Sequence, residues 1–374
     1  MKLFCLIENK ILSFSFQKVF FILLGLMIVK VGVWEMPNLG SSLGIAQNPF
    51  INAFLDIPEA QYLMCSWLSS SVAWLFHLNS LTKYFLFHLA CSIGFVGLFA
   101  KGVWLRYSEA NAKKALILFF LFPFSATAFF WVGMDSATLL LMLLSLYFFE
   151  NTKWAFCFAC LLGLQHFEQG LVSALALIFP VAVNQYQGNH FEFKLKQAGI
   201  YLLGIVVGKL MLLCIFQFSG IELVSNRTLL AKANLKLYMQ QFFLHFQVIL
   251  WSIFGVGWFL VLHFYQIYRY QWAVLLSILG VFMCITPMIG DQTRVDCITL
   301  FPLIWVFLFN NKDFIERLHW RTITRLFLLW FIIPWIWVWG VPKWSVFPHD
   351  IYFVLHKLFH HIPWPENAWI WPFS

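Results

Sequence analysis

Only 11% of the 374 residues are charged, so the places where acids and bases gather carry information. The densest is "PMIGDQTRVD" (287–296), which sets Asp291, Arg294 and Asp296 between two apolar runs. "WVGMDSATLLL" opens another apolar run with Asp135, and "LQHFEQG" puts His166 and Glu168 into a short polar break. A stretch at 220–240 carries Arg227, Lys232 and Lys236. Glu35 and Asp56 stand ahead of all of these, in a segment (35–80) without a single lysine or arginine. A carboxylate can take the proton of a hydroxyl that is about to attack. An arginine offers phosphate a two-pronged fork and a lysine offers it a point charge.

Each group also has a plain structural use. Asp291 and Arg294, three residues apart, suit a local ion pair at a helix start. Asp135 suits an N-cap through its "DSAT" opening, accepting from free backbone N–H groups. His166 and Glu168 suit a solvated turn, and the basic stretch suits lipid headgroups. In the tail, His356 and His360 share the i,i+4 spacing of some metal ligands, but no acid completes a site there, and the surrounding tryptophans read as an interfacial belt. "CFAC" (157–160) has redox spacing but lies inside an apolar run, where cysteines act as small packing residues. "NRT" at Asn226 matches a glycosylation acceptor, a pattern that also arises by chance.

The elements that must position these groups are membrane spans. Hydrophobic residues make up 61% of the chain, well above the roughly 45–50% of soluble domains. Apolar runs near the ~20 residues needed to cross a bilayer recur throughout. The expected fold is all-α, a polytopic transmembrane bundle forming one integral-membrane domain over 1–374. About eleven spans are expected, at 14–34, 82–104, 115–132, 136–149, 154–167, 170–186, 198–219, 243–265, 271–289, 295–309 and 323–340. The third to sixth are short and closely spaced, so one pair could be a re-entrant hairpin.

Lysine and arginine in the short loops predict a cytoplasmic N-terminus. Lys101, Arg106, Lys113, Lys114, Lys153, Lys194, Lys196 and Arg269 then fall on the cytoplasmic side, as does the basic run at 310–325. The loop at 220–240 breaks this rule, being basic and outside. The net charge of +8 lies mainly in such loops, which argues against nucleic acid as a partner. The charged N-terminal stretch shows no cleavage site, so no removable signal peptide is expected. No P-loop, dinucleotide fingerprint or Ser-His-Asp arrangement is evident.

On this topology every conspicuous polar cluster emerges on one side, together with a C-terminal outer tail (341–374). Charges at membrane depth cost on the order of 3 kcal/mol each, so a shared outward-facing cavity is the expected arrangement. The long first outer loop is expected to lid it. Its second half, from Glu59, fits a helix lying in the membrane plane.

In that loop, in "DIPEAQYLMCSWL" and in "LFPFSATAFFWVGMDSATLLLMLLSLYFF", the chain resembles the C-type superfamily of membrane glycosyltransferases, which use polyprenyl-phosphate-linked sugars. The likeness runs from about residue 14 to 186. The chain departs from the family in lacking an adjacent acidic pair after the first span. The resemblance implies a polyprenyl-phosphate-sugar donor, a glycan or lipid-linked acceptor and a bacterial inner-membrane location. It also implies a carboxylate base, Asp56 or Glu35. Asp135, Asp291, Glu168 and His166 would organise the acceptor or a metal, and Arg294, Arg227 and Lys232 would hold phosphate. No cofactor is firmly indicated, and a divalent ion (Mg or Mn) is the one the chemistry leaves room for. Two other readings stand beside this one: a polymerase of O-antigen or capsule repeat units, and a secondary transporter.

Overall fold

Ser15, Ser80, Asn151 and Asn311 each accept a backbone N–H from the third residue on, and each starts a helix. Such caps satisfy donors that the first turn leaves without partners. The computed structural model describes residues 2–37, 39–52, 58–188, 192–223, 227–339, 341–345 and 347. Helices α1 (Lys2–Ser13) and α2 (Phe16–Val31) open the chain. Gly32 ends α2 at φ +76°, close against the Trp34 indole. The first long loop holds α3 (Leu39–Gln47), a 3-10 stretch (Pro58–Ser66) and α4 (Trp67–Leu75).

Then come α5 (Leu81–Arg106), α6 (Glu109–Leu121), α7 (Pro123–Phe130), α8 (Met134–Tyr147), α9 (Thr152–Tyr186) and α10 (Leu195–Phe218). The second half holds α11 (Arg227–Leu244), α12 (Phe246–Phe254), α13 (Trp258–Ile267), α14 (Trp272–Cys284), α15 (Gln292–Ile304), α16 (Lys312–Arg317) and α17 (Trp320–Ile332). Among the described residues, six helical segments are long and apolar enough to cross a membrane, or seven if the α6–α7 pair counts as one broken span. The chain is a multi-pass integral membrane protein.

Two breaks in the helices have identifiable causes. α6 and α7 meet at a 60° bend, where Pro123 lacks an N–H and pushes Phe122 to extended backbone (φ −89°, ψ 140°). Phenylalanines fill this bend: Phe122 stacks on Phe124 at 5.1 Å and meets Phe254 and Phe309 edge-on. α9 breaks at His166, whose backbone is extended (φ −158°, ψ 82°).

A Cβ on Gly170 would lie 3.3 Å from the Leu162 side chain, although residues eight apart in a straight helix are separated by about 12 Å. The arms 152–165 and 167–186 therefore fold toward each other, and Ile205 of α10 touches both. α10 approaches the first arm through glycines. A Cβ on Gly208 would sit 2.1 Å from the Cys160 carbonyl oxygen, and one on Gly163 would sit 2.2 Å from that of Ile205. Small residues are what permit backbones to come this close in a membrane.

The last apolar run differs from expectation. A span was expected over 323–340, but the helix stops at Ile332, and Pro334 lies between it and a hairpin. β1 (Ile336–Trp339) pairs antiparallel with β2 (Val341–Trp344), Ile336 opposite Trp344. Lys30, buried in α2, donates to the carbonyls of Phe331 (3.3 Å) and Ile333 (2.7 Å), at the end of α17. Of the predicted C-terminal tail (341–374), all but residues 341–345 and 347 lies outside the described residues, including His356 and His360.

The helices run between two polar ends. At one, Arg106 pairs with Glu192, Lys113 with Glu109 (2.9 Å), and Lys114 donates to the carbonyl of Glu316 (3.3 Å). The other end holds the carboxylate and arginine groups described next.

Candidate functional site

A short length of extended chain brings the first loop to the start of α8. Val132 N–H donates to the Trp34 carbonyl (2.8 Å) and Met36 N–H to the Val132 carbonyl (3.1 Å). Glu35 thus forms a parallel bridge with Val132, three residues before Asp135. Its side chain is exposed. Gly133 permits this approach, because a Cβ there would lie 2.7 Å from Met36 Cβ.

Asp135 does not cap α8. Gly133 holds the cap position and Asp135 lies in the first turn, its carboxylate 2.6 Å from Arg294 Nη1. Asp291 is the residue preceding α15, but its carboxylate also bypasses the helix N–H groups and lies 2.6 Å from Arg294 Nε. The local Asp291–Arg294 pair read from sequence is therefore present and extends to a third partner 159 residues away in the chain (from 135 to 294). Two carboxylates around one guanidinium leave this cluster with a formal charge of −1. Trp131 covers the guanidinium at 5.2 Å, a cation–π contact that adds to its fixation. The backbone N–H of Val338 donates to Thr293 Oγ1 (2.9 Å), which lays β1 over the start of α15. Asp296, one turn on, is fully buried and accepts from Thr286 Oγ1 (2.8 Å).

The α9 break supplies a second cluster. Arg227 donates to Glu168 Oε2 (3.0 Å) and to Ser66 Oγ (2.6 Å). His166 Nδ1 accepts the Gln169 N–H (3.4 Å), in the manner of a cap on the second arm. A nitrogen that accepts there carries no proton, so its 3.6 Å approach to Glu168 is not an ion pair. Gln165 ties this break to both neighbouring segments: its Oε1 accepts from Ser69 N–H (2.9 Å) and its Nε2 donates to the Met134 carbonyl (3.2 Å). Arg227 and Arg294 both lie within electrostatic reach of His166, so the two clusters adjoin. Burial pushes the Cys65 thiol up, against the opposing pull of Arg227, so Cys65 is not a ready thiolate nucleophile.

Of the residues singled out in the sequence, Asp135, Asp291 and Arg294 meet directly, as do His166, Glu168 and Arg227, and Glu35 is brought alongside through backbone. Lys232 is exposed on α11 and joins neither cluster. Asp56 lies outside the described residues. Arg294, read as a phosphate ligand, is engaged instead by two carboxylates. Its guanidinium stands where a metal held by Asp135 and Asp291 would have to sit, so that donor set does not fit a divalent ion. Among the described residues no group of three His, Cys, Asp or Glu side chains is placed to hold one.

Sequence reasoning missed Trp131, Ser66, Gln165 and Lys209. Lys209 had a signal: it is the one charge between Lys196 and Glu222. Ser66 and Gln165 had none, being common polar residues whose partners are remote in the chain. Compared with family models, curated proteins and solved structures, the chain matches none.

Proposed function

We propose that this chain is a membrane glycosyltransferase that moves a sugar from a polyprenyl-phosphate donor to a glycan or lipid-linked acceptor on the non-cytoplasmic face of a bacterial inner membrane. The supporting observation is the convergence at one end of the bundle of acids and arginines from five remote segments: Glu35, Asp135, His166–Glu168, Arg227 and Asp291–Arg294. The proposed topology adds to the long helices each arm of α9, and α2, α8 and α17, as crossings, for about eleven passes, although most of these are shorter than the ~20 residues of a full crossing. The Lys113–Lys114 end then faces the cytoplasm and the site faces away from it.

The chemistry divides between the two clusters. In the −1 cluster, Arg294 fixes the carboxylates of Asp135 and Asp291, which orient acceptor hydroxyls. Glu35 or Asp56 takes the hydroxyl proton as that oxygen attacks the anomeric carbon from the face opposite the leaving group. The bond from the anomeric carbon to the phosphate oxygen breaks, and the phosphate leaves with the electron pair, stabilised by Arg227. The configuration inverts.

The polymerase reading shares this site and differs in its acceptor. A transporter places polar groups at breaks near mid-membrane. Here the α6–α7 break is lined with phenylalanine, while the α9 break carries His166 and Glu168, so a flux assay beside the transfer assay decides between the two.

The test is sugar transfer from a labelled polyprenyl-phosphate donor by purified, reconstituted protein. Glu35→Gln with Asp56→Asn should abolish transfer at normal expression. Full activity in the double variant would end the base assignment. Accumulation of single-repeat glycan in a deletion strain would move the reading to the polymerase.

A further inference from the structure

Lys209 lies well inside α10 (Leu195–Phe218), a helix long and apolar enough to cross the membrane. A charge at that depth is expensive and is ordinarily paired. Among the described residues no hydrogen-bond or ion-pair partner is found for its ammonium group, which instead stands 5.3 Å above the Phe167 ring. Phe167 is the residue between His166 and Glu168 at the α9 break. The glycine crossing at Gly163 and Gly208 brings Lys209 there, since it follows Gly208 directly. Glu168, His166 and Cys65 each sense both Lys209 and Arg227 electrostatically. Two cations therefore share one carboxylate, and Glu168 is already held by Arg227 at 3.0 Å. The adjoining Asp135–Arg294–Asp291 cluster, at −1, balances the formal charge, but among the described residues no acid touches the Lys209 ammonium group itself.

The surroundings indicate the side from which a direct anionic partner reaches Lys209. Lys209 is half-buried, at the margin of the face that α10 packs on α9. Leu213, one turn further along, is 50% exposed, and Leu210 and Met211 are also exposed. On the proposed topology this apolar, exposed margin faces the acyl region rather than water.

We propose that Lys209 and Arg227 together bind the phosphate of a membrane-embedded prenyl phosphate that enters laterally along α10. The proposal rests on the glycosyl-transfer reading for its ligand class and assigns the subsite that holds the phosphate. Lys209 supplies the direct contact as a point charge, and Arg227, whose Nη atoms hold Glu168 and Ser66, adds its positive charge beside it. Ser66, already hydrogen-bonded to Arg227, lies at the same place.

The experiment is a binding isotherm for farnesyl phosphate on the full chain in phosphatidylcholine nanodiscs, with farnesol and inorganic phosphate as separate probes. Wild type should bind farnesyl phosphate and neither of the others at comparable strength. Lys209→Gln should weaken binding on the order of tenfold or more, the loss of a charge-assisted contact. Lys209→Arg should retain most of it, and Lys153→Gln, an exposed lysine at the opposite end of the first α9 arm from His166, should leave it unchanged. Lys209→Met should keep or raise the thermal midpoint, because it removes a charge without a partner.

Unchanged binding in Lys209→Gln, or no binding by wild type, overturns the proposal. Equal affinity for inorganic phosphate overturns its lipid source. A large fall in midpoint with Lys209→Met overturns it in favour of a structural lysine. If farnesyl phosphate binds in a Lys209-dependent way but no sugar is ever transferred, the subsite stands and the transferase reading falls.

Discussion

The two ends of the bundle use their charges in opposite ways. At one end, Lys113 and Lys114 lie mostly buried in α6, with their ammonium groups on backbone carbonyls of Leu12 and Glu316. The acids at this end are exposed: Glu109, beside Lys113, retains 50% of its side-chain accessibility, and Glu192, beside Arg106, 59%. These cations tie helix ends together. At the other end the acids are the buried partners. Asp135 is 2% exposed and Asp291 9%, both turned onto Arg294. Carboxylates that should be capping helices are withdrawn from that work and aimed at one guanidinium. A lysine on a carbonyl secures architecture, whereas two buried acids around an arginine hold charge in a fixed place, the preorganisation that the proposed transfer would use.

Breaking this contrast should show in stability. Arg294→Met leaves two buried carboxylates without their cation and should cost about 3–5 kcal/mol, read as the largest fall in thermal midpoint of the set. Arg294→Lys should not restore it, because one ammonium group cannot reproduce the separate Nε and Nη1 contacts. Gly163→Ala should cost about 1–3 kcal/mol by forcing α9 off the Ile205 carbonyl, and cysteine crosslinking across α9 and α10 should detect the shift. At the lysine end, Lys114→Met removes one hydrogen bond to a helix terminus and should cost about 1 kcal/mol. Glu109→Gln removes only a half-exposed i,i+4 partner and should change the midpoint by about 0.3–0.5 kcal/mol or less. A lysine-end variant that matched Arg294→Met would erase the distinction drawn between the ends.

Much of this organisation was legible in the sequence, and the reason is physical. Membrane spans are written in composition, because each backbone group must be satisfied within its own helix and every outward side chain must be apolar. The scarcity of charge then made Asp135, Glu168, Arg227, Asp291 and Arg294 conspicuous, and those residues do gather. The pairing was not legible. Asp135 had an adequate local use as a cap and Asp291 an adequate local partner in Arg294, so nothing in either stretch required the third member. Gln165 and Ser66 carry no distinguishing pattern, and only the folded chain shows that they join the first loop to the α9 break. The end of α17 was misjudged because apolar residues continue past Pro334, and hydropathy does not separate a buried hairpin from a helix.

On the proposed function, the Asp135–Arg294–Asp291 cluster is a working site rather than a brace. The most direct test compares wild type with Asp135→Asn and Asp291→Asn in reconstituted sugar transfer from a polyprenyl-phosphate donor, with thermal midpoints measured in parallel. Wild type should transfer the sugar, and each variant should fall roughly 10²–10⁴-fold while remaining folded. Undiminished transfer in both folded variants, or no transfer by wild type with any such donor, would contradict that reading.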